Sequence, residues 1–238
     1  MVKDMIDFFK LRKQAPLKID KDKPMMDVRY TVIDTELTGL NEKKDSIISM
    51  GAVHMTGTRI ELAGSFHELV KPESKFQPKS VVVHEITPSD VLEKPSIDPV
   101  LSDFLRFCDE DIIVGHCVSI DLSFINREMK RISGTTMQNP VIDTYKVYEW
   151  LRKKVPTRTC FSSSPKDSSL YEIAQCFSIA IRGAHNALVD AFITAQLLQR
   201  FMPVLIDVGL NSIGDLLTIG HPYEGGDKFK TSGEISNF

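Results

Sequence analysis

The chain has 238 residues, of which 42% are hydrophobic and 26% are charged, and this composition fits a folded domain rather than a disordered chain. With 29 basic and 32 acidic residues the formal net charge is −3, which argues against a protein that coats nucleic acid non-specifically but not against an enzyme that acts on a nucleic-acid end. The four cysteines are never two or three residues apart, so no zinc knuckle or redox pair is indicated.

The N-terminal region differs in composition from the rest of the chain. Apolar residues at helical spacing in Met1 to Lys13 predict a short amphipathic helix, and the Lys-, Asp- and Pro-rich stretch from Gln14 to Asp27 predicts a linker. The first 13 residues lack the apolar core of a signal peptide, and no run approaches the roughly 20 apolar residues of a membrane-spanning helix. We therefore expect a cytoplasmic protein with no membrane partner.

Three β-rich runs follow, at Tyr30 to Glu36, Ser46 to Met55 and Ile60 to Val70, separated by short polar breaks. Their proximity in the chain predicts an antiparallel meander. The later elements alternate between strand and helix. They are predicted as Ile97 to Cys108 (helix), Ile112 to Gly115 (strand), Leu122 to Ile132 (helix), Val141 and Ile142 (strand), Thr144 to Lys154 (helix), Pro156 to Ser168 (mobile loop), Leu170 to Phe177 (helix), Ala187 to Phe201 (helix, ended by Pro203) and Leu210 to Ile219 (helix).

Strands first, then alternating strands and helices, indicate an α/β sandwich around a mixed sheet. We divide the chain into an N-terminal extension (residues 1–27), a main domain (residues 28–206), and a C-terminal helix with a flexible tail (residues 207–238).

Two carboxylates stand close together near the end of the first predicted strand. Because side chains alternate along a strand, Asp34 and Glu36 point to one face and Thr35 to the other. Like charges so close on a half-buried sheet are costly unless a cation lies between them. Taken alone, the pair is more typical of surface residues at a strand end. Gly39 follows three residues later, where the backbone can approach a ligand closely.

Two further segments carry acids with a neighbouring histidine. In the first, His116 follows a buried strand and Asp121 stands at the start of a helix, so Asp121 taken singly would be a helix N-cap and His116 a hydrogen-bonded structural residue. In the second, Asn186 can cap a helix, with His185 in the loop before it and Asp190 just past its first turn. Asp190 would be either a surface acid or an acid that needs a partner or a metal.

Together the segments provide four carboxylates and a histidine. Oxygen ligands without cysteine favour Mg²⁺ or Mn²⁺ over zinc. Two such ions can activate a water, orient a scissile phosphate and stabilise the leaving oxygen. A histidine with a near-neutral pKa is suited to take the proton from the attacking water.

In this order, residues 34–40 (DTELTGL), residues 115–121 and residues 185–190 resemble the three exonuclease motifs of the DEDDh family, which includes the proofreading epsilon subunit of bacterial DNA polymerase III. Residues 83–87 (VHEIT) are similar to the VHGIT segment of that family. The resemblance extends from about Tyr30 to Leu198, and the spacing of the motifs makes it specific. It implies a ribonuclease H-like fold with a mixed five-stranded sheet flanked by helices.

The resemblance also implies roles for individual residues. Two divalent metal ions, Mg²⁺ or Mn²⁺, would be bound by Asp34, Glu36, Asp121 and Asp190, with His185 as the general base. The residues implied to lie near the substrate are Thr38, Leu40 (a wedge against the terminal base) and His84.

The implied activity is 3′–5′ exonucleolytic hydrolysis of single-stranded or frayed DNA, with release of nucleoside monophosphates. The partner would be a nucleic-acid 3′ end, with a DNA polymerase as a further candidate. Two alternatives stay open, namely an exoribonuclease acting on short RNA and a polymerase-associated subunit whose main role is binding. The sequence departs from the family pattern at Glu85, Cys117 and Ile120, where Gly, Asn and Phe are frequent.

Overall fold

A computed structural model describes residues 18–74, 76, 78–162 and 169–223. Its five strands are β1 (Arg29–Leu37), β2 (Ile47–Thr56), β3 (Arg59–Leu69), β4 (Ile112–Gly115) and β5 (Val141–Asp143). They form one sheet in the order β3-β2-β1-β4-β5, in which β2 runs antiparallel to both β1 and β3, whereas β4 and β5 run parallel to β1. The predicted meander and the mixed five-stranded sheet are confirmed.

The helices lie between and after these strands. They are α1 (Pro78–His84), α2 (Pro88–Val91), α3 (Ile97–Cys108), α4 (Ser119–Ser133), α5 (Thr144–Lys154), α6 (Thr159–Ser162), α7 (Leu170–Cys176), α8 (Ala187–Asp207) and α9 (Ile213–Ile219). Part of the predicted mobile loop therefore forms α6, whose Phe161 is buried in the core. Residues 163–168 of that loop lie outside the described residues.

Helix α8 does not end before Pro203, as the sequence predicted, but continues to Asp207. Proline costs the helix one backbone hydrogen bond. Met202 and Leu205, on either side of it, are fully buried, and the burial of such side chains is worth roughly 1.5–3 kcal/mol each. The gain from packing offsets the lost hydrogen bond.

Helix α8 is also, among the described residues, the one helix long and apolar enough to cross a membrane by length and composition. The expectation that no run reaches that length is therefore wrong. More than half of its most apolar stretch is buried inside the fold, and it packs against β1 and β2. These are features of a core helix.

Two hydrophobic cores lie on opposite faces of the sheet. Tyr30 and Val32 of β1 join the core that contains residues of α5 and α8, whereas Ile33 joins the core that contains residues of α3 and α4. By the same alternation, Asp34 and Glu36 lie on the face of β1 that is covered by α8. The site is therefore positioned at the end of the central strand.

The segment before β1 packs against the start of α9. Met25 is fully buried and donates its backbone N–H to the Asn211 carbonyl, and Gly214 donates its N–H to Lys21. The division into residues 1–27, 28–206 and 207–238 stays a prediction. The predicted amphipathic helix at residues 1–13 and the tail beyond residue 223 lie outside the described residues.

Candidate active site

Three of the predicted acids meet at the end of β1. One ligand oxygen from each of Asp34, Glu36 and Asp190 can be chosen so that all three lie within 4.8 Å of one another. Asp190 reaches this point because α8 begins directly on the sheet, where the Asn186 side chain accepts hydrogen bonds from the backbone of Leu188 and Val189.

A glycine in β2, which the sequence analysis missed, permits this close approach. Gly51 pairs with Asp34, and a Cβ placed on Gly51 would lie 2.2 Å from the backbone carbonyl carbon of Ala187. Any side chain there would push the N-terminus of α8, and with it Asp190, away from β1. A lone glycine within an apolar strand gives a weak sequence signal of such contact.

Asp121 comes to the cluster from the opposite helical layer. It lies in the first turn of α4, whose N-cap is Val118, so the alternative of Asp121 as an N-cap is wrong. The Thr35 hydroxyl donates a 2.6 Å hydrogen bond to Asp121 Oδ1. Thr35, which lies between the two acids of β1, thus orients Asp121, the fourth acid, which is itself buried.

The proximity of the acids is reflected in their protonation equilibria. Burial, followed by the charges of Asp121, Glu36 and Asp190, raises the pKa of Asp34 well above its usual range. Burial is also the main cause that raises the pKa of Glu36 to about 8, that of Asp121 to about 7 and that of Asp190 to about 6. The cluster is thus unfavourable when fully ionised, and cations between the carboxylates would relieve the repulsion.

The residues fit a divalent metal ion. The donors are carboxylate oxygens, the ligand type that Mg²⁺ and Mn²⁺ prefer. Asp190 Oδ1 is buried and has no hydrogen-bond partner among the described residues, so it is available as a ligand. The acidic cluster and the fold together imply divalent-metal binding at this site.

His185 lies beside Asp190 in a strained loop conformation. Its φ is 59°, in the left-handed region, and its backbone N–H approaches both Tyr171 Oη (2.7 Å) and Asp190 Oδ2 (3.1 Å). Burial lowers the pKa of His185, while the charge of Glu85 opposes this effect. The lowered pKa favours the neutral imidazole, which is the form that can accept a proton.

Tyr171 of α7 is a second feature that the sequence analysis missed. Its hydroxyl lies 2.6 Å from Asp190 Oδ2 and 3.2 Å from His185 Nδ1. Burial and the charge of Asp190 raise the pKa of this phenol, so that it stays protonated. The sequence analysis predicted only that Tyr171 lies in a short helix. The spacing between Tyr171 and His185 gives no indication that the two residues are in contact.

The three predicted substrate-binding residues lie in different environments. Leu40 is 44% exposed just beyond the end of β1. Thr38 is fully buried, and its hydroxyl bonds to Ser74 and to the Ser46 backbone. His84 is buried in α1, and its pKa is lowered first by burial and then by His185, which places the two imidazoles within electrostatic reach. Their contacts with a substrate stay predictions.

Two departures from the family pattern fall on left-handed residues. Glu85 has a φ of 58° and Cys117 has a φ of 52°. Glycine and asparagine adopt this conformation most readily, so the two departures place less suited residues at strained backbone positions. The Cys117 backbone N–H donates to Asp143 Oδ1, which also caps α5 by accepting from Tyr145. His116 Nδ1 lies 2.9 Å from the Thr144 hydroxyl, in keeping with its predicted structural role.

The fold and the acidic cluster define a metal-dependent nuclease, and comparison with known proteins specifies the family. The family described as Exonuclease (RNase T) matches residues 31–198. The chain belongs to this family of phosphodiester hydrolases, and the predicted likeness to epsilon-type exonucleases is confirmed.

Two relatives show the range of proteins in which this sequence type occurs. The DNA polymerase III subunit epsilon of Aquifex aeolicus is 32% identical over 193 residues, which cover 81% of this chain and 90% of that protein. The PolC-type DNA polymerase III of Thermotoga maritima is 30% identical over 198 residues, or 83% of this chain. The chain spans only 14% of that longer relative.

Solved structures support the fold. Escherichia coli exonuclease I in complex with a dT13 oligonucleotide superposes with a TM-score of 0.66 at 17% identity, over 76% of this chain and 43% of that one. Exonuclease X in complex with 5′-overhanging duplex DNA gives a TM-score of 0.57 at 23% identity, over 80% of this chain and 99% of that one.

Proposed function

We propose that the protein is a 3′–5′ exonuclease that hydrolyses phosphodiester bonds at the 3′ end of single-stranded or frayed DNA and releases nucleoside monophosphates. The observation that carries this proposal is the meeting of Asp34, Glu36 and Asp190 beside His185. Membership of the exonuclease family supports it. The DNA substrate is supported by the epsilon relative and by the DNA-bound exonucleases of similar fold.

The four acids would hold two divalent ions, Mg²⁺ or Mn²⁺. Asp34 is central to this set, because the charges of Asp121, Glu36 and Asp190 all raise its pKa. When bound, such ions orient the scissile phosphate, activate water and stabilise the leaving oxygen. Thr35 keeps Asp121 oriented towards the cluster through the hydrogen bond to its Oδ1.

The chain's own residues then handle the proton and the terminal nucleotide. His185, neutral because burial lowers its pKa, takes the proton from the attacking water. Leu40, exposed beyond β1, would wedge against the last base, with Thr38 and His84 nearby. Unstacking a paired terminal base costs a few kcal/mol, so a wedge of this kind favours ends that are already frayed.

A DNA polymerase is a proposed partner. The support is that the epsilon relative is named as a polymerase subunit and that the chain covers 90% of its length. The N-terminal extension (residues 1–27) and the C-terminal segment (residues 207–238) are the candidate docking regions in this proposal. Co-purification of the full chain with a polymerase would support it. Deletion should be limited to residues 1–17 or 224–238, because Met25, Ile213 and Leu216 are buried in the core, and loss of the complex in such a variant that keeps the wild-type melting temperature would support it further.

Digestion of 5′-labelled oligonucleotides tests the activity. Single-stranded DNA and RNA are incubated with Mg²⁺, Mn²⁺ or EDTA, using the wild type and the variants Asp34→Asn and Asp103→Asn. Asp103 is an exposed acid of α3, paired on the surface with Arg106, and serves as the control. We expect a ladder that shortens from the 3′ end of DNA, activity only with metal, and loss of activity only in Asp34→Asn. Internal cuts in a circular single strand, or faster digestion of RNA, would contradict the proposal.

A further inference from the structure

The phenol of Tyr171 makes three contacts with two residues of the site. Its Oη lies 2.6 Å from Asp190 Oδ2, 2.7 Å from the His185 backbone nitrogen and 3.2 Å from His185 Nδ1. The two rings also meet edge to face, with centroids 4.8 Å apart. Among the described residues, Tyr171 is the only one that forms a hydrogen bond to the His185 ring.

The hydrogen-bonding capacity of a phenol decides the direction of each bond. A tyrosine hydroxyl has one proton to donate and oxygen lone pairs with which to accept. The carboxylate of Asp190 can only accept, so the Tyr171 proton goes to Asp190 Oδ2. The backbone N–H of His185 can only donate, and it is shared between the phenol oxygen at 2.7 Å and Asp190 Oδ2 at 3.1 Å.

In the third contact, His185 Nδ1 must therefore be the donor and the Tyr171 oxygen the acceptor. With its proton committed to Asp190, the phenol can satisfy His185 Nδ1 only if Nδ1 carries a hydrogen. In a neutral imidazole one nitrogen is protonated and the other bears a lone pair, so Nε2 is the basic atom. The tautomer of a histidine is generally set by the hydrogen bond that its other nitrogen makes.

We propose that Tyr171 is a positioning residue, which fixes His185 as the Nδ1–H tautomer with Nε2 free to accept a proton and holds Asp190 by Oδ2 so that Oδ1 is left for metal. The inference rests on the proposed function for its meaning in catalysis, but the tautomer itself requires neither metal nor substrate. Both consequences come from one hydroxyl group, so both should be lost in Tyr171→Phe.

The phenylalanine variant removes only that hydroxyl. A matched control exists in Tyr148 of α5, which is fully buried and whose hydroxyl donates to the Cys160 carbonyl away from the acids. Tyr148→Phe therefore makes the same chemical change in the same fold. If the melting temperatures of both variants are near that of the wild type, any difference between them arises from the site.

Nitrogen-15 NMR of histidine-labelled, metal-free full-length protein reads the tautomer directly. Measured above the pKa of His185 and assigned by comparison with His185→Asn, the wild type and Tyr148→Phe should show Nδ1 protonated and Nε2 unprotonated. Tyr171→Phe should show a shift towards the Nε2–H form. A wild-type ring protonated on Nε2, or an unchanged tautomer in Tyr171→Phe, would overturn the proposal.

Kinetics and metal binding provide the second test. Loss of a residue that orients a catalytic or ligating group typically costs 10–100-fold in activity or metal affinity. For Tyr171→Phe we expect kcat to fall roughly 10–100-fold with KM nearly unchanged, and Mn²⁺ titrated into the apo protein to bind more weakly. Wild-type values for both would overturn the proposal. An inactive wild type would instead contradict the nuclease function, while the NMR result would still decide the tautomer.

Discussion

Replacing Glu36 with glutamine should stabilise the metal-free protein at alkaline pH. Folding places this carboxylate among three other acids, and burial, followed by Asp190 and Asp121, raises the pKa of Glu36 to about 8. An acid whose pKa is higher in the folded state binds its proton more tightly there than in the unfolded state. Its contribution to the free energy of unfolding is therefore fully present below the unfolded pKa and declines as the pH rises towards 8.

The size of the effect follows from the shift. One pKa unit corresponds to about 1.4 kcal/mol, so the change from 4.5 to about 8 sets an upper limit of roughly 5 kcal/mol for Glu36. Because the acids interact, removal of one charge also eases ionisation of the others. We therefore expect Glu36→Gln to raise the free energy of unfolding at pH 8.5 by about 1–3 kcal/mol, or several degrees in melting temperature.

Urea denaturation in EDTA at pH 5 and pH 8.5 measures the effect. The wild type should lose stability between these values, Glu36→Gln should lose less, and Glu93→Gln, at an exposed position, should follow the wild type. Saturating Mg²⁺ at pH 8.5 should stabilise the wild type by about 2.7 kcal/mol at a hundredfold excess over Kd and the Glu36 variant by less. A wild type that is more stable at pH 8.5 than at pH 5 would refute the reasoning.

Four other substitutions, at three residues, test separate parts of the site. His185→Asn should lower kcat by roughly 10²–10⁴-fold with little change in calorimetric Mn²⁺ affinity, and a loss of affinity equal to that of Asp190→Ala would make His185 a ligand instead. Glu85→Gly should relieve the strain of the left-handed backbone conformation at this position and raise the free energy of unfolding by about 1 kcal/mol. Glu85→Gln, which removes a charge that raises the pKa of His185, should move the acidic limb of the pH–rate profile to lower pH, and an unmoved limb would refute this coupling. Leu40→Ala should slow digestion of blunt duplex more than that of single strands, and equal slowing would argue against a wedge.

Much of the fold follows from local sequence pattern. The bounds of α3 and α5 agree with the prediction, because apolar periodicity and clear polar ends mark both helices. The end of α8 was misjudged because Pro203 is a local signal, whereas burial of Leu205 depends on the whole fold. Helix α6 was missed for a similar reason, since a Ser- and Thr-rich stretch hides the buried Phe161.

In the site, too, features set by local sequence pattern could be predicted, whereas features set by contacts between distant segments could not. Asp34 and Glu36 could be assigned to one face because strand alternation is local. The roles of Gly51 and Tyr171 could not be predicted, because each depends on a contact with a segment far along the chain. Gly51 touches the backbone of Ala187, and Tyr171 touches His185. Sequence spacing identifies the groups that carry the chemistry more readily than the groups that hold them in place.

The tripeptide Asp34, Thr35 and Glu36 shows why the cluster lies at the end of the central strand. Alternation sends the two acids to the layer of α8 and the threonine to the layer of α4, where Thr35 bonds to Asp121. A strand at the edge of the sheet has a neighbouring strand on one side only, whereas β1 lies between the antiparallel β2 and the parallel β4. β2 supplies Gly51, which seats α8, and β4 leads the chain into α4. One strand can therefore bring acids from both helical layers within electrostatic reach of one another, and metal binding would relieve the resulting repulsion.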